Sequence, residues 1–144
     1  MLTDVDGDVQ GISVANDATI TEGDWQYSTA SDTNWYAVGS VTETAALLLD
    51  LDTRLRFVPA LNFNGAVPEL KVYGMDSFSG SSVTTGSLRV FSDVTTRGGS
   101  TSFSADAAVI NSSVLAVIDS PETTDSTISA VSYTHLTLPT ILLV

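Results

Sequence analysis

Short runs of β-forming residues, each closed by residues that turn the chain, limit this sequence more than any other feature. Trp25-Gln26-Tyr27-Ser28 sets two aromatics two positions apart, so both face the same side of a strand. Leu55-Arg56-Phe57-Val58-Pro59 reads as another strand, closed by a proline that has no N–H for a ladder. Asn62-Phe63-Asn64-Gly65 carries an Asn-Gly turn signal, and the strand-like run Leu70 to Asp76 follows it. Ile12 and Val14 alternate with small polar residues. Leu88-Arg89-Val90-Phe91 follows a Gly/Ser loop, and Ala107 to Val117 is rich in β-branched residues. The polar stretch Thr29 to Asn34 leads from the Trp25 run into Trp35-Tyr36-Ala37-Val38, which predicts a hairpin. One patch, Glu43 to Leu49, has helix-forming composition, for two turns at most. Short runs with spacers of Ser, Thr, Gly and Asp predict an all-β, antiparallel sandwich rather than a helical or doubly wound fold.

A length of 144 residues suits one domain, and 43% hydrophobic residues are enough for a packed core. Acids outnumber bases 17 to 5, for a formal net charge of -12. That balance argues against nucleic acid and anionic membrane surfaces, whose phosphates need Lys and Arg. It favours divalent cations and solubility outside the cell. With no cysteine, disulfides and thiolate metal sites are excluded. Met1-Leu2-Thr3-Asp4 has neither a basic nor an apolar signal region, so if the protein is secreted its export address is expected on a part of the chain beyond this sequence.

Asp4-Val5-Asp6-Gly7-Asp8 places carboxylates at alternate positions, where they converge if the backbone turns at Gly7. Clustered carboxylates repel unless a hard cation lies among them, and Ca²⁺ accepts six to eight oxygens. The competing reading is a solvated turn, since Asp and Gly are ordinary turn residues. It is not an EF-hand, because Val9 and Ala15 occupy the places of the required Gly and Glu. Asp4, Asp6 and Asp8 alone fall short of six ligands, so a second segment must contribute. Asp50 and Asp52 form a similar pair, but Arg54 beside them offers a salt-bridge explanation.

Other chemistry lacks parts. Apart from the last stretch, which holds the only histidine, His135, there is no His, no Cys and a single lysine, Lys71, so triads and Schiff-base chemistry are out. Nothing selects a carboxylate pair for glycoside hydrolysis. The expectation is that the protein is not an enzyme. Trp25, Tyr27, Trp35 and Tyr36 could stack on sugars, but the spacing favours Trp25 and Tyr27 in the core with Trp35 beside them across the hairpin. Ser28 to Trp35 has the length of an Asp-box turn, with Ala30, Asp32 and Asn34 in the places of its Asp, Gly and Thr. Such a turn is structural.

Thr3-Asp4-Val5-Asp6-Gly7, Gly11-Ile12-Ser13-Val14, Trp25-Gln26-Tyr27-Ser28, Trp35, Ala46-Leu47-Leu48-Leu49, Leu55 to Pro59, Asn62 to Gly65, Tyr73-Gly74-Met75-Asp76 and Val117-Ile118-Asp119-Ser120-Pro121 follow in order. Together they resemble one cadherin-like repeat of the tandem arrays in giant bacterial surface adhesins. The resemblance implies an Ig-like or cadherin-like β-sandwich stiffened by Ca²⁺, with Asp76 and Asp119 joining Asp4, Asp6 and Asp8 as metal ligands. It implies a stalk or adhesive arm at the bacterial cell surface, mediating adhesion. The partners it implies are neighbouring repeats and host or biofilm surface ligands or glycans. A carbohydrate-binding module of a secreted protein is the alternative. Such repeats open with a strand ahead of the acidic motif, so a truncated repeat lacking its first strand is expected over 1–120. The closing motif departs too, with Ile118 where the family has Asn.

Residues 121–130 are expected to be a linker or the start of a next repeat. From Ser126 onward no charged residue occurs, and Val131-Ser132-Tyr133-Thr134-His135-Leu136-Thr137-Leu138-Pro139-Thr140 looks like a translated transposase-end adapter. Residues 131–144 are therefore read as a non-native tail rather than a membrane span or a cell-wall sorting signal.

Overall fold

The computed structural model describes residues 9–16, 19–76 and 82–117. Asp4, Asp6, Asp8, Asp119, the expected linker and the expected tail lie outside them. The described residues form strands and no helix: β1 Gly11–Val14, β2 Thr19–Ile20, β3 Gly23–Ser28, β4 Tyr36–Ala37, β5 Ala46–Asp50, β6 Arg54–Pro59, β7 Gly65–Ala66, β8 Leu70–Met75, β9 Phe91–Ser92, β10 Phe103–Ile110 and β11 Ser113–Val114. Every pairing is antiparallel.

One sheet has the order β10-β8-β1-β5-β9. In the other, β3 is central: β6 pairs along one edge, while β2 and then β4 pair along the opposite edge. A short β7–β11 ribbon closes one end. Val14, Leu47, Leu49, Leu70 and Val72 of the first sheet pack with Trp25 and Tyr27 of the second, and Leu55 and Phe57 complete the layer. The result is a β-sandwich, held by apolar side chains at alternate positions on facing sheets. The ring of Trp25 meets that of Phe57 edge-on at 5.6 Å, and its indole N–H donates to Pro68 O at 3.2 Å.

The expected hairpin forms, with Tyr27 opposite Tyr36. The runs Leu55–Pro59 and Leu70–Met75 are strands as read, and Asn62 takes the positive φ (65°) that its turn requires. The helix-forming patch is instead β5. Ala46 to Leu49 is buried residue by residue, because this strand is covered on both faces. On the face away from the other sheet, Ala46, Tyr73 and Ala15 pack with Val94 and Phe103 from the segment that crosses over them. Leu88 to Phe91 yields only the short β9, since Thr85 and Leu88 bridge across a tight turn. β10 starts at Phe103, earlier than the sequence indicated, and its register shifts between Phe103 and Ala107.

Gly23 carries out a specific task where β3 begins. Its φ is 149°, and a Cβ there would stand 2.3 Å from Val58 O, so only glycine lets β6 approach this closely.

Candidate functional site

β1 runs away from one pole of the sandwich, and β5 and β8 run towards it. The chain therefore enters β1 between the ends of two strands that finish in acidic residues. Gln10 N donates to Met75 O at 2.8 Å, and Gln10 O accepts from Leu51 N at 3.3 Å. Asp76 follows Met75, and Asp50 and Asp52 flank Leu51. The topology thus brings Asp76, Asp50 and Asp52 to the pole where Gln10 stands, two residues after Asp8. Asp76 has its N–H bound to Ser102 O at 3.0 Å, but its Oδ1 is buried with no hydrogen-bond partner among the described residues. Thr53 Oγ1, at the same pole, is also buried without one. Buried oxygens of this kind require a partner, which a cation or a polar group can supply. The described residues alone contain no group of three or more His, Asp or Glu close enough to hold a metal.

Asp50 and Asp52 build a turn: Thr53 N donates to Asp50 O at 3.0 Å and Asp52 N to Asp50 Oδ1 at 3.3 Å. Arg54 does not pair with them, contrary to the salt-bridge explanation. Its guanidinium crosses the sheet to Ser28 Oγ at 3.1 Å.

The opposite pole is apolar. Pro59–Asn64 and Val114–Val117 line a shallow cleft of about 550 Å³. Leu61 (92%), Leu115 (83%) and Val117 (81%) stand almost fully exposed there. Val117 comes two residues before Asp119, whereas Asp76 belongs to the far pole.

The aromatics divide. Trp25 and Tyr27 are buried in the core as expected, and Tyr27 donates its hydroxyl to Gly86 O at 2.9 Å. Trp35 does not join them. Tyr36 occupies that place, its ring 5.7 Å from that of Tyr27. Trp35 lies on the outer face of the second sheet, half-buried, with the guanidinium carbons of Arg56 and Arg54 at 4.2 Å and 5.5 Å from its ring centre. A coplanar exposed Trp25–Trp35 platform for sugars is therefore absent.

The turn between β3 and β4 is built around Asp32. Its Oδ1 accepts from the Asn34 N–H at 2.9 Å and the Asn34 side chain at 2.7 Å, and its Oδ2 from the Tyr36 hydroxyl. Those bonds, Tyr36 foremost, hold its carboxyl below the usual carboxylate range. The Thr29 hydroxyl accepts from Gly86 N at 3.0 Å and so ties this turn to the one at Thr85–Leu88.

Glu43 gathers a second network that sequence reasoning missed. Its Oε1 takes Lys71 Nζ at 2.7 Å and the Tyr73 hydroxyl at 2.8 Å, and its Oε2 takes Arg97 at 3.2 Å. These donors, Lys71 first, pull its carboxyl down to about 2. Arg97 also donates to Val94 O and lies 4.3 Å from the Tyr73 ring centre. These bonds tie β8 to the turn before β5 and to Arg97, so the cluster acts as a clasp.

No helix of the described residues is long and apolar enough to cross a membrane. Compared with known proteins, the chain finds no matching family model, no matching curated protein and no matching solved structure.

Proposed function

We propose that this chain is a calcium-stiffened, cadherin-like repeat of a large extracellular bacterial adhesin, serving as one link of a stalk at the cell surface. The observation that carries the reading is the buried, unpartnered Asp76 Oδ1 beside the chain as it enters β1. Asp8 lies two residues before Gln10, within about 7 Å along an extended chain, so the acidic motif has the reach to meet Asp76. Asp4, Asp6 and Asp8 with Asp76 give the convergent carboxylates that a hard cation needs. Thr53 Oγ1 at the same pole is a neutral oxygen of the kind that fills out such a shell.

Asp119, outside the described residues, is kept in this reading as a further calcium ligand, supplied at a junction with a neighbouring repeat. The exposed Leu61, Leu115 and Val117 support the same assignment, since they offer apolar surface to a neighbouring repeat at the pole where the described chain ends.

Isothermal titration with Ca²⁺ tests the site directly. Saturable binding with a dissociation constant of about 0.1–1 mM is expected, the range of extracellular modules, and Asp76→Asn weakens it. Absence of saturable binding, or a titration unchanged in Asp76→Asn, contradicts the assignment.

A further inference from the structure

The outer face of the second sheet carries a charge arrangement that the rest of the molecule does not require. Arg54 and Arg56 are two of only five basic residues in a chain of net charge -12, and they project side by side from β6. Arg56 stands opposite Gln26 and Arg54 opposite Ser28 on β3. Arg56 Nε and one terminal nitrogen both donate to Gln26 Oε1, at 2.9 Å and 2.7 Å. Arg54 is held by Ser28 Oγ, which itself donates to Asp32 O at 3.0 Å. Both guanidinium groups lie within 5.5 Å of the Trp35 ring centre.

Each guanidinium is thus aimed by a neutral side chain and an aromatic ring. Among the described residues neither has a carboxylate within salt-bridge distance; the ion pairs found are those of Lys71 and Arg97 with Glu43. An arginine has five N–H donors, and these bonds occupy two on Arg56 and one on Arg54, so most of both forks faces solvent. A glutamate in place of Gln26 would neutralise Arg56 at no change of shape. The amide positions the fork and leaves its charge available.

We propose that Arg54, Arg56 and Trp35 form a binding site for a carboxylate-bearing saccharide of the uronic acid class. The forks match a carboxylate geometrically, and the Trp35 ring, stacked with Arg56 at 4.2 Å, gives the pyranose C–H groups an apolar border beside them. The two arginines project from the face of β6 rather than along its edge, so a ligand there meets side chains and not the backbone ladder groups a peptide strand would pair with. Charge density also discriminates. A nucleic acid or an acidic peptide brings closely spaced negative charges into the repulsive field of a strongly acidic protein. A uronate oligomer spreads one charge over each sugar ring. Asp24 is exposed on the same face, one register step beyond Gln26 and opposite Val58, and bounds the positive strip on that side. The site shares no residue with the acidic pole, so it stands or falls independently of calcium.

The test is a titration of the intact chain with a galacturonic acid tetramer, followed by the indole N–H and arginine Nε–H resonances, in calcium-replete and in chelated buffer. Saturable shifts at Trp35, Arg54 and Arg56 are expected in both buffers, with Trp25 unmoved and a neutral galactose tetramer inert. Arg54→Gln and Arg56→Gln each weaken binding at least about tenfold, the scale of a charge-assisted pair. Gln26→Glu, which keeps the fold and supplies an internal carboxylate, abolishes it. Equal binding of the neutral tetramer or of an oligoglutamate peptide overturns the proposal. So does binding that survives in Gln26→Glu, that requires calcium, or that is absent from the wild-type chain.

Discussion

Two tryptophans of the same sequence neighbourhood hold opposite positions in the sandwich. Trp25 is 4% exposed, fills the space between the sheets and spends its indole N–H on Pro68 O. Trp35 covers the outer face under two arginines. Truncating each reads out the difference. Trp25→Ala leaves a large cavity and is expected to lower stability by about 3–5 kcal/mol in urea unfolding. Trp35→Ala removes exposed cation–π contacts and is expected to lower it by about 1 kcal/mol or less. Similar losses at both positions would place Trp35 in the core. The sequence made Trp25 and Tyr27 legible, because residues two apart on one strand share a face. It misplaced Trp35 because the residue in register with Tyr27 is Tyr36, and a shift of one residue reverses the side a ring occupies. Arg54 was likewise misread: its chain neighbours Asp50 and Asp52 are engaged in their own turn, while its partner Ser28 lies across the sheet.

β5 shows how an element gets its structure from its surroundings. Ala45 to Leu49 has no period-two alternation to mark a strand, and its composition favours a helix. Its place between β1 and β9, with apolar cover on both faces, makes it a strand. The alternation of β3 and β6 was readable because one face of each looks outward. β10 was only half legible, since Ser104, Ala105 and Asp106 are poor strand formers and fall in the register shift between Phe103 and Ala107.

The cover over the outer face is fastened by Glu43, which joins the turn before β5 to Lys71 and Tyr73 of β8 and to Arg97. The folded state holds the Glu43 carboxyl at about 2, below its ordinary value of 4.5. A folded value below the unfolded one means the stabilisation is complete above the unfolded value and fades as pH falls through the folded one. Glu43→Gln is therefore expected to melt below wild type at neutral pH, with the gap closing between about pH 5 and pH 2. A gap that is constant with pH would show that charge plays no part in the clasp.

Across the whole molecule the two poles differ in kind. One gathers Asp76, Asp50, Asp52 and Thr53 around the start of β1, with Asp76 Oδ1 and Thr53 Oγ1 buried and unpartnered among the described residues, and the other exposes Leu61, Leu115 and Val117. The resemblance to cadherin-like repeats singled out Asp76 at the close of a strand-like run, and β8 ends at the residue before it. What the sequence could not supply was the antiparallel order β8-β1-β5, which decides that Asp76 and Gln10 are neighbours. The most direct test of the calcium reading is thermal melting of the chain with Ca²⁺ and with chelator. At free Ca²⁺ ten times the dissociation constant, the account predicts stabilisation of about 1.4 kcal/mol, reduced by Asp76→Asn and by Asp6→Asn. Superimposable melting curves in calcium and in chelator would contradict it.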